Sequence, residues 1–201
     1  TTTRTSGPTY GQDMSEYGDY AKSTIIHEIG HSLGFGHTGN YNGSATYSSD
    51  ATAYNDTGQY SIMSYFGETN YGGANFYGSE ASTPMLMDIY AVQQKYGANM
   101  TTRTGDTTYG FNSNAGGAYD FNNHSWVPVI AIWDAGGTDT LDFSGYSNNQ
   151  IINLNEGTFS NAGQGKGNIA IAYGATIENA VGGTGQDTIY GNEVVNSIWG
   201  G

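Results

Sequence analysis

The sequence predicts an α+β fold, in which a helical region precedes short strands that begin a parallel β-roll. Residues 24–37 place two histidines and an apolar repeat at helical spacing. After Met100, short apolar runs alternate with turns rich in Gly, Asn and Asp. Residues 182–190 fit the pattern Gly-Gly-x-Gly-x-Asp-x-apolar-x, a nine-residue repeat that is typical of a β-roll.

The composition narrows the classes of function. Among 201 residues there are 5 Lys plus Arg against 18 Asp plus Glu, a formal net charge of −13. Nucleic acid and anionic membranes are therefore unfavourable partners, whereas calcium sites are built from carboxylates and carbonyls. Cysteine is absent, so bound metal ions rather than disulfides are expected to stabilise the fold of an extracellular chain. No signal peptide begins at Thr1, so secretion would require a signal outside this chain.

The first helix is predicted to follow a loop over residues 1–18 and to end at about Leu33. Asp13 or Ser15 is the expected cap, and Glu16 would add favourable charge near the first turn. An apolar stripe at spacing four is expected to bury one face of this helix and to anchor it. The stripe consists of Ile25, Ile29 and Leu33.

His27 and His31 lie one helical turn apart on the same face, so both imidazoles can bind one metal ion. Glu28 is too far round the helix to be a comfortable ligand, but it could hydrogen-bond a water on the metal, and we predict it to be the general base. Gly34 and Gly36 permit the positive φ that would turn the chain back.

That turn would bring His37 to the same metal. Such a histidine pair alone could arise by chance, but the further glycine and His37 at this spacing favour a functional site. Three nitrogen ligands with one position left to water predict a catalytic zinc site, since structural sites are closed by four protein ligands. Residues 39–60 are predicted to form a long loop that lines a substrate cleft. Met63 is predicted to pack beneath the ligands as a Met-turn.

His27 to His37, followed by Ser61-Ile-Met-Ser-Tyr65, resembles the serralysin family of secreted metzincin zinc endopeptidases. The resemblance extends through residues 84–99 and 133–143 and covers the chain from about Tyr17. It implies a metzincin zinc-helix subdomain followed by the start of a calcium-binding RTX β-roll. It also implies that Tyr65 is a further zinc ligand, which can leave the metal and stabilise the tetrahedral intermediate.

Thr38 departs from this family, which usually has proline after the third histidine. A small hydroxyl residue there is more similar to matrixins, but matrixins lack the tyrosine after the Met-turn and the region rich in glycine and aspartate. A matrixin-like enzyme would predict that Tyr65→Phe changes neither activity nor metal binding.

A second helix is predicted over residues 84–96, with Pro84 in its first turn and Gly97 at its end. Its expected buried face consists of Leu86, Ile89, Val92 and Tyr96. Five strands are predicted further along the chain, at residues 129–133, 141–143, 151–154, 169–172 and 177–180.

In the nine-residue repeat, Asp187 would supply charge to a calcium ion and Ile189 would fill the roll interior. The next unit keeps Asn196 and Ile198 but lacks the aspartate, and the two units span 18 residues, or one full coil. The calcium ligands predicted from the repeats are Gly183, Gly185, Asp187, Asn192, Val194 and Asn196. Asp120 and Asp142 are left unassigned.

The resemblance implies two further calcium sites that tie the β-roll to the protease domain. Residues 103–107 and 134–139 would clamp one ion, and a second would lie near Gly137, Asp139, Thr176 and Glu178. The ligands implied in this way are Arg103, Gly105, Asp106, Thr107, Asp134, Gly136, Gly137, Asp139, Thr176 and Glu178.

We divide the chain into residues 1–100, the C-terminal part of a metzincin protease domain, and residues 101–201, a calcium-binding region that leads into the roll. Only about two dozen residues precede His27, whereas a metzincin builds a sheet there, so the sequence is interpreted as a fragment.

The predicted function is a secreted zinc endopeptidase with one catalytic zinc and several structural calcium ions. Its expected partners are protein or peptide substrates, a proteinaceous inhibitor and the remainder of a nicked parent chain, without nucleic acid or membrane. The alternative is a non-catalytic metal-binding fragment that needs a missing N-terminal segment or a partner chain.

Overall fold

A computed structural model describes residues 16–201, and the predicted caps Asp13 and Ser15 lie outside that range. The first helix, α1, runs over Tyr20–Ser32, and its N-cap is Asp19. The Asp19 carboxylate accepts a hydrogen bond from the N–H of Ala21 at 2.8 Å. The cap therefore lies directly before the first helical residue, where a carboxylate reaches the free N–H groups of the first turn.

The helices and strands follow the α+β order that the sequence predicts. Within the described residues no helix is both long and apolar enough to cross a membrane. Two further helices are α2 (Tyr47–Asp50) and α3 (Leu86–Tyr96). The strands are β1 (Thr108–Gly110), β2 (Ile130–Ile132), β3 (Thr140–Asp142), β4 (Ile151–Asn153), β5 (Phe159–Ser160), β6 (Ile169–Ile171), β7 (Asn179–Val181), β8 (Thr188–Tyr190) and β9 (Ser197–Trp199).

Parallel pairing dominates the sheets, as in a β-roll. One sheet has the order β1-β3-β7-β9, a second pairs β4 with β8, and a third has the order β2-β6-β5, in which only β5 is antiparallel. Asn179 of β7 pairs with Ser197 of β9. This offset of 18 residues confirms the predicted length of one coil. The strands predicted at residues 177–180 and 141–143 begin at Asn179 and Thr140 instead.

Aliphatic side chains from these strands form the main core between the sheets. Leu141, Ile152 and Ile171 are at most 1% exposed. Ile189 packs against this core, as predicted, whereas Ile198 is 46% exposed. The two halves of the chain are also joined directly, because the N–H of Ala131 donates to the Thr83 hydroxyl at 2.8 Å.

The predicted buried face of α3 is partly wrong. Leu86 is fully buried and Ile89 is partly buried, but Tyr96 is 57% exposed. The Tyr96 hydroxyl instead donates to the carbonyl of Leu33 at 2.7 Å, so the end of α3 holds the end of α1. Gly97 has φ +83° and terminates the helix, as predicted.

The predicted burial of the α1 stripe is wrong. Ile25, Ile29 and Leu33 are 41%, 51% and 39% exposed. Ile29 and Leu33 line an open apolar groove of about 260 Å³ between α1 and α3. The face of α1 that meets the core lies one residue further along, at Ile26. Spacing identified an apolar face, but not which face the rest of the chain covers.

Gly30 is the point of closest packing on α1. A Cβ atom placed on Gly30 would lie 2.5 Å from Sδ of Met63, which is 4% exposed. The absent side chain therefore makes room for the methionine against the helix. This agrees with the predicted position of Met63 beneath the histidines.

We expect Gly30→Ala to lower the free energy of unfolding by about 1–3 kcal/mol, because overpacking exceeds the gain of about 1 kcal/mol in helix propensity. Urea denaturation measures this difference. Gly36→Ala is the matched control, since no atom lies within 4 Å of a Cβ placed there. A Gly30→Ala chain as stable as the unmodified chain would contradict this packing.

Candidate metal centre

Three histidine side chains converge beside the Met-turn. The ligand atoms of His27, His31 and His37 all lie within 4.8 Å of one another, and this is the only such cluster of three or more His, Asp or Glu side chains among residues 16–201. Nε2 of His31 lies 3.2 Å from Nε2 of His37. Nitrogens bound to a tetrahedral zinc at about 2.0–2.1 Å lie roughly 3.3–3.4 Å apart. The geometry therefore suits one zinc ion.

Each of the three rings is held at Nδ1 by a main-chain carbonyl. Nδ1 of His27 lies 2.8 Å from the oxygen of Ile62, and Nδ1 of His31 lies 2.9 Å from that of Phe35. The corresponding distance from His37 to the oxygen of Tyr41 is 2.9 Å. A carbonyl only accepts, so each Nδ1 carries hydrogen, and each neutral ring then presents the lone pair of Nε2.

The turn after His31 is built as predicted at one of its two glycines. Gly34 has φ +78°, a left-handed conformation that glycine favours, whereas Gly36 does not adopt a positive φ. The Lys95 ammonium donates to the carbonyls of Leu33 and Gly34 at 3.0 and 3.2 Å. A cation suits the carbonyl end of a helix, so α3 stabilises the turn that leads to His37.

Glu28 and Tyr65 lie beside this cluster. Both line the same open cleft as His27, with a volume of about 680 Å³. The centroid of the Tyr65 ring lies 4.2 Å from that of His37. The segment predicted to be a loop at residues 39–60 contributes Gly43 to this cleft, but the short helix α2 at Tyr47–Asp50 interrupts it.

Asp88 is a partly buried supporting residue that was not predicted from the sequence. Its carboxylate accepts hydrogen bonds from the Ser61 hydroxyl at 2.6 Å and from the N–H groups of Ile62 and Met85, both at 2.8 Å. Burial raises the pKa of Asp88, and these three donors oppose the rise. Since the Ile62 carbonyl holds His27, α3 supports this ring through Asp88. Its place in the first turn of α3 was the only signal in the sequence.

A second candidate metal site lies among carboxylates at the start of the β-roll. Asp139 is fully buried, and its Oδ1 accepts from the N–H of Thr107 at 2.7 Å. The N–H of Asp139 donates to Oε2 of Glu178 at 2.7 Å. Oδ1 of Asp134 accepts from the N–H of Gly136 at 2.9 Å. The fold therefore brings together residues that are up to 71 positions apart in the chain, from Thr107 to Glu178.

Negative charge accumulates around Asp139, although the oxygens of these carboxylates do not converge as closely as the three histidine nitrogens. The pKa of Asp139 is raised to about 7, mainly by burial and also by the nearby carboxylates of Asp134, Glu178 and Asp106, while the hydrogen bond from Thr107 opposes the rise. Oδ2 of Asp139 is buried and has no hydrogen-bond partner among the described residues. A calcium ion would neutralise this charge and bind the remaining oxygen.

The other predicted calcium ligands near Asp139 differ in their contacts and in their exposure. A Cβ atom on Gly137 would lie 2.6 Å from the carbonyl oxygen of Gly105, which accepts from the Thr107 hydroxyl at 2.9 Å. The Arg103 guanidinium donates to the carbonyl of Trp133 at 2.7 Å. Thr176, by contrast, is exposed.

The aspartate of the nine-residue repeat braces two turns of the roll. Oδ2 of Asp187 accepts from the N–H of Gly183 at 2.7 Å, and Oδ1 accepts from the N–H of Gln150 at 2.7 Å. A Cβ atom on Gly185 would lie 2.6 Å from the main chain of Asn148. The glycines of the repeat therefore allow turns from different coils to approach closely.

The degenerate unit is arranged differently. Oδ1 of Asn196 accepts from the N–H of Asn192 at 2.9 Å, and Oδ1 of Asn192 accepts from the N–H of Val194 at 3.3 Å. The side-chain nitrogens donate to the carbonyls of Leu154, Ile177 and Glu178. Amide donors thus face these carbonyls, and calcium binding by the three predicted residues stays a prediction.

The sequence of this chain is similar to a known family and to several known proteins. Residues 98–198 match the family described as Peptidase M10 serralysin C terminal. The chain is 54% identical over 173 residues to Serralysin C of Dickeya chrysanthemi, which covers 85% of this chain and 36% of that protein. It is 49% identical over 197 residues to Metallopeptidase AprA of Pseudomonas marginalis, and this match covers 95% of this chain and 41% of that protein. The chain thus spans about two fifths of the length of these relatives.

Without calcium, we expect the stability of the chain to fall as pH rises from about 4 to about 7. The folded pKa of Asp139, about 7, exceeds its ordinary value of 3.8, so the folded state binds more protons across this window. The slope should be on the order of 1 kcal/mol per pH unit.

Urea denaturation at several pH values in the presence of a chelator tests this expectation. Asp139→Asn should flatten the slope, and saturating calcium should do the same. Asp142→Asn, at another buried aspartate, is the matched control. Stability that rises across this window in the calcium-free chain would contradict the assignment.

Proposed function

This chain belongs to the serralysin family, and we propose that it carries the metal ligands and the general base of a secreted zinc-dependent endopeptidase. The proposal is carried by the convergence of His27, His31 and His37. Their Nδ1 atoms are occupied by carbonyls, and two of the Nε2 atoms lie only 3.2 Å apart. Two such lone pairs repel each other unless a cation binds between them.

The donor set fits zinc, which favours imidazole nitrogens in tetrahedral geometry. When bound, zinc supplies a Lewis acid that polarises a carbonyl and makes water acidic enough to ionise near neutral pH. The three histidines leave room for one further ligand, which is the arrangement of catalytic sites. Main-chain carbonyls orient the rings, and such partners raise the basicity of the ligand nitrogens.

Glu28 is the proposed general base. It follows His27 on α1 and lines the cleft of about 680 Å³ together with that ligand. Its carboxylate accepts a proton from the attacking water and then gives that proton to the leaving amine of the cleaved peptide. Water adds directly to the peptide carbonyl, so no acyl-enzyme forms.

Tyr65 is the proposed stabiliser of the oxyanion. Its ring lies against His37, and its side chain is 39% exposed on the cleft. The Tyr65 hydroxyl can donate a hydrogen bond to the oxygen on which negative charge develops. The proposed substrates are therefore proteins or peptides that reach into this cleft.

Calcium is the proposed structural ion at two places in the roll. The buried, unpaired oxygen of Asp139 supports one site, and the glycine turn around Asp187 supports another. We leave the turn at Asn192 and Asn196 out of this proposal, because amide donors already face its carbonyls. These ions would replace the disulfides that the chain lacks.

A second candidate function is favoured by the exposed stripe on α1. Ile25, Ile29 and Leu33 are each more than a third exposed, and in this alternative the chain binds metals but cleaves protein only after another polypeptide covers that face. An N-terminal segment or a partner chain would serve. Cleavage of a denatured protein by the chain alone, and after such a segment is added, separates the two functions.

We expect Glu28→Ala to reduce peptide cleavage by about 10²–10⁴-fold, because the general base is lost. Zinc content should not change, since Glu28 is not among the converging ligands. Hydrolysis of a denatured protein and metal analysis of the same sample give both quantities. Glu193→Ala, at an exposed glutamate of the roll, is the control. Full activity in Glu28→Ala would overturn the mechanism.

A further inference from the structure

A buried carboxylate lies between the two loops that carry His37 and Tyr65. Asp56 is 3% exposed, and its Oδ1 accepts hydrogen bonds from three hydroxyls. The Tyr41 hydroxyl donates at 2.9 Å, the Ser64 hydroxyl donates at 2.7 Å, and the Thr38 hydroxyl is a third, close donor. Burying a carboxylate is costly unless such donors compensate it, so this arrangement requires an explanation.

Two of these hydroxyls belong to the loop that carries His37. Thr38 follows this histidine directly, and the main-chain oxygen of Tyr41 lies 2.9 Å from Nδ1 of His37. The Tyr41 ring also lies nearly parallel to the imidazole, at 13° with centroids 5.8 Å apart. Asp56 therefore holds both the start of this loop and the residue that orients the ring.

The third hydroxyl belongs to the Met-turn. Ser64 precedes Tyr65, and its Oγ also accepts from the N–H of Phe66 at 3.1 Å. The N–H of Tyr65 lies 3.5 Å from the Tyr41 hydroxyl, which is itself bound to Asp56. The backbone around Tyr65 is thus linked to Asp56 twice, through the Ser64 hydroxyl and through the Tyr41 hydroxyl.

We propose that Asp56 is a positioning residue that sets the location of His37 relative to Tyr65 at the metal centre. This inference rests on the proposed zinc function. Asp56 is not among the side chains whose ligand atoms converge at the proposed metal position, and its Oδ1 accepts from three hydroxyls. Among the described residues, no hydrogen bond joins His37 directly to Tyr65. Asp56 connects the loops that carry them.

Thr38 is the residue of this network at which the chain departs from the usual serralysin pattern. Proline has no hydroxyl and no N–H, so a proline at this position could not donate to Asp56. The threonine therefore adds a bond between the residue after His37 and the carboxylate. A threonine at position 38 therefore makes a contact with Asp56 that a proline could not make.

The test uses zinc and copper(II) as probes of the whole chain. Zinc affinity is measured by competition with a chelator. Copper(II) bound to a phenolate absorbs visible light by charge transfer, so this band reports whether Tyr65 coordinates the metal. Loss of overall stability alone would not remove that band from the folded, metal-bound chain.

We expect Asp56→Ala to weaken zinc binding by about 10–100-fold, as for other residues that orient metal ligands, and to weaken or shift the copper band. Asp56→Asn should retain part of both properties, because its amide oxygen can still accept. Asp142→Ala is the matched control, since this buried aspartate accepts from Asn112 and Ser144 far from the histidines. It should leave zinc affinity and the band unchanged.

Single hydroxyl variants keep the inference testable if Asp56→Ala does not fold. Thr38→Val should mainly weaken zinc binding through His37, whereas Ser64→Ala should mainly reduce the copper band through Tyr65. Unchanged affinity and band in both variants, or in a folded Asp56→Ala chain, would overturn the inference alone. An unmodified chain that binds no zinc would overturn the proposed function, and this inference with it.

Discussion

The candidate metal centre depends on one constraint, namely that three imidazole rings present unprotonated nitrogens to the same point. Each ring meets this constraint in the same way, by placing Nδ1 against a main-chain carbonyl at 2.8 or 2.9 Å. A carbonyl fixes both the tautomer and the plane of the ring. The backbone therefore orients the rings in the way that the proposed zinc ion would require.

The carbonyls that hold the rings come from three different parts of the chain. Phe35 belongs to the turn after α1, Tyr41 to the following loop, and Ile62 to the Met-turn. Their positions depend in turn on Asp88 for the Met-turn and on Asp56 for the loop. Residues outside the histidine cluster therefore help to hold the carbonyls that orient the rings.

The proposed calcium site at the start of the roll differs in its chemistry from the histidine site. The histidines offer neutral nitrogens, whereas Asp139 lies buried beside three other carboxylates, and its pKa rises to about 7 because the site is dehydrated and negatively charged. Direct hydrogen bonds, such as that from Ala131 to Thr83, connect the roll to the segment before α3. Through α3 and its Asp88, order in the roll can support the histidines.

The sequence by itself predicted the three histidines that converge and the length of the coil, because both follow from short-range spacing. Histidines four residues apart share a helix face, and a repeat of nine residues twice over gives the 18-residue register of β7 with β9. Only the tertiary structure decided which apolar face of α1 is covered and that Tyr96 lies outside the core. It also revealed Asp56, whose hydroxyl partners are 8 to 18 positions away, and Asp88, whose partner Ser61 is 27 positions away. Periodicity describes a single element, whereas burial and such hydrogen bonds depend on which elements meet.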